Sequence, residues 1–182
     1  MKVILIDIDG TLNNFDEYFI SEFNRLHPEL VNENTNPKNH VDVLNIDRAK
    51  GLELLRSNGF TEGMKPLKGS VEAVHAISER GHQIFFCTSL VTDFSNTLRD
   101  RVQWIGKWFG PEWKKRVIFT HDKTMIRGDF LIDDSPSKSK GLYEPTWKYI
   151  VFDSSHNENY ENEFRIYDWE NMDAIFSIID ND

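Results

Sequence analysis

Five short apolar runs recur along the chain, at residues 3–6, 83–87, 116–119, 129–132 and 149–152. Each is four or five residues long and rich in β-branched and aromatic side chains. None alternates apolar with polar positions, the pattern of strands covered on both faces, as in parallel sheets. A sixth segment, Phe164-Arg165-Ile166-Tyr167, does alternate and reads as an edge strand or a loop. Stretches with helical spacing lie between the runs. Val71, Val74 and Ile77 form one stripe over residues 69–80, with Gly81 as the stop signal. Leu98, Val102, Ile105 and Phe109 do the same over 95–109, ahead of Gly110-Pro111, and Met172, Ile175, Phe176 and Ile179 over 169–180. Strands alternating with helices predict an α/β, doubly wound (Rossmann-like) parallel sheet.

Residues 14–66 break this rhythm. They hold no convincing buried strand but two amphipathic helical patterns. Tyr18, Phe19, Phe23 and Leu26 mark one over 16–27; Leu52 and Leu55 mark another over 47–58. The run from Asn32 to Asn39 is a polar loop by composition. The expected organisation is a core of residues 1–13 and 67–182 with a small helical cap, 14–66, inserted after the first strand.

Composition narrows the function classes. With 182 residues, 39% hydrophobic content and 13 Phe, the chain can build a sizeable core. Its 21 basic and 30 acidic residues leave a formal charge of −9. That argues against a binder of polymeric nucleic acid, which needs a basic footprint, and against docking on anionic lipid. It does not exclude a small anionic substrate, because a site's local field need not follow the net charge. The single cysteine, Cys87, allows no intrachain disulfide and fits a reducing compartment. The opening apolar run is too short for a signal peptide or a spanning helix, so the expected location is the cytoplasm.

Chemistry-bearing residues collect at the strand ends. The first run continues Asp7-Ile8-Asp9-Gly10-Thr11-Leu12. The second ends in Thr88-Ser89, the third is followed by Thr120-His121-Asp122-Lys123, and the fourth ends in Asp133-Asp134. Open α/β sheets bind ligands outside the carboxyl ends of their strands. Taken singly, each group has an ordinary reading: an Asp-rich turn, a helix N-cap, a solvated lysine. Four such groups at four consecutive strand ends point to one site.

These motifs resemble the haloacid dehalogenase-like superfamily of aspartate-nucleophile phosphohydrolases, in the order Asp7-Ile8-Asp9-Gly10-Thr11, Thr88, Lys123 and Asp133-Asp134. A narrower likeness runs from about Pro66 to Asn157. There Cys87-Thr88-Ser89, Trp108-Phe109-Gly110-Pro111, Asp122-Lys123-Thr124, Leu131-Ile132-Asp133-Asp134, Pro145-Thr146-Trp147 and His156-Asn157 look like the 5′(3′)-deoxyribonucleotidase family. The resemblance implies Mg²⁺-dependent hydrolysis of 5′-deoxyribonucleoside monophosphates through an aspartyl-phosphate, with 3′ esters left open.

On that resemblance Asp7 is the nucleophile and Asp9 the general acid and base. Mg²⁺ would be held by the carboxylates of Asp7 and Asp134 and the main-chain carbonyl of Asp9. Lys123, Thr88, Ser89 and the backbone near Gly10 would bind the phosphate. Asp133 is expected either to orient Lys123 or to support the metal's ligands from behind, and the sequence leaves that choice open. Phe15 and Phe60 are candidate stacking partners for the base, although each also reads as core of the insert.

The sequence departs from the family at Ser135-Pro136, where an arginine often precedes the proline, and at Leu90, where a proline often follows Thr-Ser. It also departs in the stretch 40–45, which lacks an aromatic pair. These departures leave base and sugar preference open. Cys87 reads as packing and His121 as surface. The sequence sets no oligomeric state and leaves a homodimer open. Two alternatives remain: a phosphatase for another small phosphomonoester, and a receiver-like phospho-accepting module. A receiver carries its phosphorylated aspartate on a later strand and has no insert after the first.

Overall fold

The computed structural model describes residues 1–32, 35–89 and 95–181. Glu33 and Asn34 of the polar loop, and Leu90 after Ser89, lie outside the described residues. Six strands form one all-parallel sheet: β1 (Val3–Ile6), β2 (Gln83–Thr88), β3 (Val117–Phe119), β4 (Phe130–Asp133), β5 (Lys148–Phe152) and β6 (Phe164–Ile166). Their order is β3-β2-β1-β4-β5-β6. β1 therefore lies inside the sheet, with Ile4 paired to Ile84 on one side and to Phe130 on the other. The chain moves one way from β1 through β3 and the other way from β4 onward. The reversal opens a crevice at the carboxyl ends of β1 and β4, where such sheets bind ligands. The alternating segment near residue 165 is the edge strand β6.

Period-two geometry sorts the apolar side chains onto two faces. Ile4, Ile6, Ile84, Phe86, Phe130 and Ile132 join the main core against α4 (Ser70–Glu79), α5 (Ser95–Trp108) and α6 (Met172–Asn181). Leu5, Cys87 and Leu131 face the other way, with Trp147 over them. This second face is covered by loops. The crossovers after β3 and β4 contain only short 3₁₀ turns, Lys123–Met125 and Pro136–Ser139.

The insert folds as α1 (Phe15–Leu26), α2 (His40–Ile46) and α3 (Arg48–Arg56) around its own apolar cluster. Phe15, Phe19 and Phe23 recur every fourth residue on α1, placing three rings on one face. α2 was not anticipated from the sequence. It is nucleated where the Asn39 side chain accepts a hydrogen bond from the Asp42 amide at 3.1 Å. Asp47 caps α3 the same way through the Lys50 amide. The two chain crossings between core and insert are tied together: the Asn14 amide donates to the Lys65 carbonyl at 3.0 Å, and the Lys65 amide to Asn14 Oδ1 at 2.8 Å. Among the described residues no helix is long and apolar enough to cross a membrane.

Candidate active site

Asp7 follows β1 directly, and its amide continues the ladder by donating to the Ile132 carbonyl of β4 at 2.9 Å. The carboxylate is thus fixed by the sheet itself. Lys123 reaches it from the 3₁₀ turn after β3. Its Nζ donates to Asp7 Oδ1 at 2.5 Å and to Asp133 Oδ2 at 2.6 Å, and the lysine is 1% exposed. Burial works against the ammonium, but the carboxylates of Asp133 and Asp7 outweigh it and hold its pKa above the usual lysine value. Burial, opposed by Lys123 and reinforced by Asp133, lifts Asp7 to about 7.

Gly10 turns the chain after the two aspartates with φ +79°, and a Cβ there would collide with Asp134 Oδ2. The next residue bridges back to β4: Thr11 Oγ1 donates to Asp134 Oδ1 at 3.2 Å and accepts from the Asp134 amide at 3.1 Å. The loop's carbonyls are held from behind, Thr11 by Trp169 Nε1 at 2.7 Å and Leu12 by the Leu67 amide and the Ser70 hydroxyl. Beyond β4, Asn157 Nδ2 donates to the Asp134 carbonyl at 2.7 Å, and His156 Nε2 lies 3.3 Å from Asp134 Oδ2. The hydrogen bond to Asp134 raises the His156 pKa, against burial.

Carboxylate oxygens of Asp7, Asp133 and Asp134 lie within 4.8 Å of one another. Asp133 is committed elsewhere, with Oδ2 taken by Lys123 and Oδ1 accepting the Ser135 amide at 2.8 Å. Three buried carboxylates with one ammonium among them are under-compensated, and burial raises the pKa of all three. A hard-oxygen donor set of this kind fits a small divalent cation such as Mg²⁺.

The Asp9 carboxylate is not part of that cluster. Its Oδ2 is held by Nε and Nη2 of Arg101 on α5, with Nε at 3.1 Å, and its Oδ1 accepts from Asn13 Nδ2 at 3.0 Å. The Asp9 side chain is thus engaged away from the three clustered carboxylates. Arg101 was missed in the sequence, though a signal existed: it lies one helical turn before Ile105 and two before Phe109, a charge on a buried stripe.

A cavity of about 290 Å³ lies between insert and core, with Asp7, Asp9, Thr88, Ser89, Lys123 and Asp134 on its floor. Phe15, His40, Leu44 and Leu55 of the insert form its roof. Thr88 is buried, and the Ser89 hydroxyl is engaged with the Thr120 carbonyl at 2.9 Å. Phe60 is not among the lining residues. It packs inside the insert against Phe15, Tyr18 and Phe19. His40 is a roof residue the sequence reading passed over; its Nδ1 lies 2.7 Å from Asp16 Oδ1. Cys87 is buried in β2, and burial pushes its thiol up to about 12, so it is inert packing. His121 is exposed. A wider cleft of about 410 Å³ opens beyond Gly10 and Asp134, lined by Asp16, Glu17, Asp153, Asp168 and Glu170 against one cation, Lys68, a balance unfavourable to a phosphate ester.

Known proteins resemble this chain in sequence and in fold. The model of a family described as 5′ nucleotidase, deoxy (pyrimidine), cytosolic type C protein (NT5C) matches residues 1–180. A protein of Bordetella bronchiseptica provisionally named 5′(3′)-deoxyribonucleotidase is 30% identical over 179 residues, 96% of this chain and 95% of its own length. The cytosolic-type 5′(3′)-deoxyribonucleotidase of Homo sapiens is 28% identical over 164 residues, 86% of this chain and 82% of its own length. Among solved structures, a HAD-family hydrolase from Deinococcus radiodurans with bound phosphate and sodium superposes with a TM-score of 0.62 at 13% identity. It covers 97% of this chain and 95% of that one.

Proposed function

The chain belongs to the 5′ nucleotidase, deoxy (pyrimidine), cytosolic type C family, and on that premise we propose how its residues divide the work. It is a phosphomonoester hydrolase that cleaves 5′(3′)-deoxyribonucleoside monophosphates to deoxynucleoside and phosphate. The observation that carries the residue roles is the convergence of Asp7, Asp9, Thr88, Lys123 and Asp134 on one cavity at the carboxyl ends of β1, β2 and β4.

Asp7 attacks the phosphorus, forming an acyl-phosphate as the ester bond to the nucleoside oxygen breaks. The departing oxygen takes its proton from Asp9. Asp9, now a carboxylate, accepts a proton from the water that cleaves the acyl-phosphate, which releases phosphate and regenerates Asp7. Lys123 places a buried positive charge beside the nucleophile and stabilises the phosphoryl oxygens. Thr88 and the backbone near Gly10 and Ser89 donate to those oxygens. The carboxylates of Asp7 and Asp134 and the Asp9 carbonyl would hold Mg²⁺, which supplies Lewis-acid polarisation of the phosphoryl group and relieves its repulsion from Asp7.

Residues 14–66 act as a cap that closes the cavity over the nucleoside, with Phe15 stacking on the base. The receiver-like alternative is disfavoured by the position of Asp7 at the end of the first strand and by the insert residues that share its cavity. The site of action is the cytoplasm, consistent with the single buried thiol.

The test is phosphate release from dUMP, dTMP, dGMP and their ribo counterparts, with and without Mg²⁺, for wild type and Asp7→Asn. Turnover of the deoxy substrates that requires both Mg²⁺ and Asp7 supports the assignment. Activity that survives chelation and the substitution would refute it.

A further inference from the structure

We propose that Arg101 is a positioning residue for Asp9, fixing which oxygen of that carboxyl group passes its proton to the departing nucleoside. The inference rests on the acid–base role of Asp9 given above.

The guanidinium sits behind the site. Asp9 lines the cavity and Arg101 does not. Nε and Nη2 of Arg101 both hold Asp9 Oδ2, Nε at 3.1 Å. The other oxygen, Oδ1, accepts from Asn13 Nδ2 at 3.0 Å. That amide cannot turn over, because Asn13 Oδ1 accepts from the Gly10 amide at 3.2 Å, so the nitrogen must face Asp9. The carboxyl plane is therefore clamped from two sides. Two N–H groups occupy Oδ2, and Oδ1 meets one, which leaves Oδ1 the oxygen with room for a transferable proton.

A purely structural role accounts poorly for this arrangement. The Arg101 side chain is 3% exposed, yet its Nη1 is buried with no hydrogen-bond partner among the described residues. A buried cation with unmet donors is an expensive way to stabilise a fold. Its helix is also mounted rigidly: three residues on, Trp104 Nε1 donates to the Met64 carbonyl at 3.0 Å, and the neighbouring Asp100 Oδ2 accepts from the Gly59 amide. Such support is what a proton-transfer group requires, since small errors of placement reduce rates steeply.

The test uses two esters that differ in their need for an acid. A nucleoside oxygen leaves as an alkoxide and must be protonated; p-nitrophenolate leaves without a proton. For a reaction through a covalent intermediate, kcat/KM reports only the steps up to departure of the leaving group. It is measured for dUMP and p-nitrophenyl phosphate with wild type, Arg101→Met, Arg101→Lys and Asp9→Asn. Arg101→Met should lower kcat/KM for dUMP by about 30- to 100-fold, within the range of general acid catalysis, and that for p-nitrophenyl phosphate by less than about threefold. Arg101→Lys keeps the charge but not the two-pronged grip and should recover about tenfold of the loss. If Arg101→Met fails to fold, the same ester-selective loss must appear in the milder Arg101→Lys. Equal losses on both esters, or no loss on either, overturn the proposal. Equal losses in Asp9→Asn would instead overturn the acid role of Asp9, so the two failures are distinguishable.

Discussion

Lys123 Nζ lies 2.6 Å from Asp133 Oδ2, and each of these side chains is 1% exposed. An ion pair this deep is not a source of net stability. Removing one partner strands the other's charge, at about 3–5 kcal/mol. Lys123→Met should therefore destabilise the metal-free protein by that amount in urea unfolding. Lys123→Met/Asp133→Leu should regain at least half of it, measured at pH 6, where the raised pKa of Asp7 lets that carboxyl take up a proton. Losses that simply add would show the two side chains to be uncoupled.

Metal binding should depend on pH through Asp7. Its folded-state pKa is raised from 3.8 to about 7 by burial, so between those values the folded protein holds more protons than the unfolded chain. Asp7's contribution to stability is full below about pH 4 and is lost as the pH rises through about 7. A cation on Asp7 replaces the proton and cancels that loss. The rise in Tm on adding Mg²⁺ should therefore be larger at pH 8 than at pH 5.5. An equal rise at both would mean that the cation binds elsewhere.

Gly10→Ala and Gly81→Ala form a matched pair. Both glycines have positive φ, +79° and +88°, so each substitution carries the left-handed penalty of about 1–2 kcal/mol. A Cβ at Gly81 meets nothing, whereas one at Gly10 strikes Asp134. Gly81→Ala should leave kcat unchanged. Gly10→Ala should lower it by about 10²-fold by displacing a carboxylate of the site. Stability is read by thermal unfolding and kcat by phosphate release.

The roof of the cavity should set affinity. Phe15 lies edge-on to His40 with ring centroids 5.4 Å apart, and Asp16 holds the His40 Nδ1. Removing either ring should raise KM for dUMP about tenfold, as expected for one stacked base contact, with kcat little changed. Phe60→Leu is the comparison. Phe60 packs against Phe15 and Phe19 inside the insert, so its loss should lower Tm and move KM less than the other two.

The strands were readable because burial on both faces leaves a continuous apolar run, and the strand-end aspartates stand out against it. Several features were not readable. α2 spans only seven residues of mixed polarity, and its start depends on one Asn39 side chain within a polar run. Lys123 looks like any surface lysine until the sheet brings Asp7 and Asp133 to its Nζ. Arg101 acts on a residue 92 positions earlier, a pairing that no local pattern carries. Covering of the second sheet face by Trp147 and loops, rather than by helices, likewise depends on the short 3₁₀ crossovers.

The inner position of β1 also sets the order in which the site can be assembled during synthesis, because both of its neighbours in the sheet come later in the chain. The lysine that pairs with Asp7 follows it by 116 positions, and Thr11 meets Asp134 only 123 positions on. At ordinary synthesis rates that is a delay on the order of ten seconds. During it Asp7 lacks both the lysine and the β4 carbonyl that hold it in the folded chain. A chain that stops short of β4 lacks both Asp133, the second carboxylate on the Lys123 ammonium, and Asp134, the partner of Thr11.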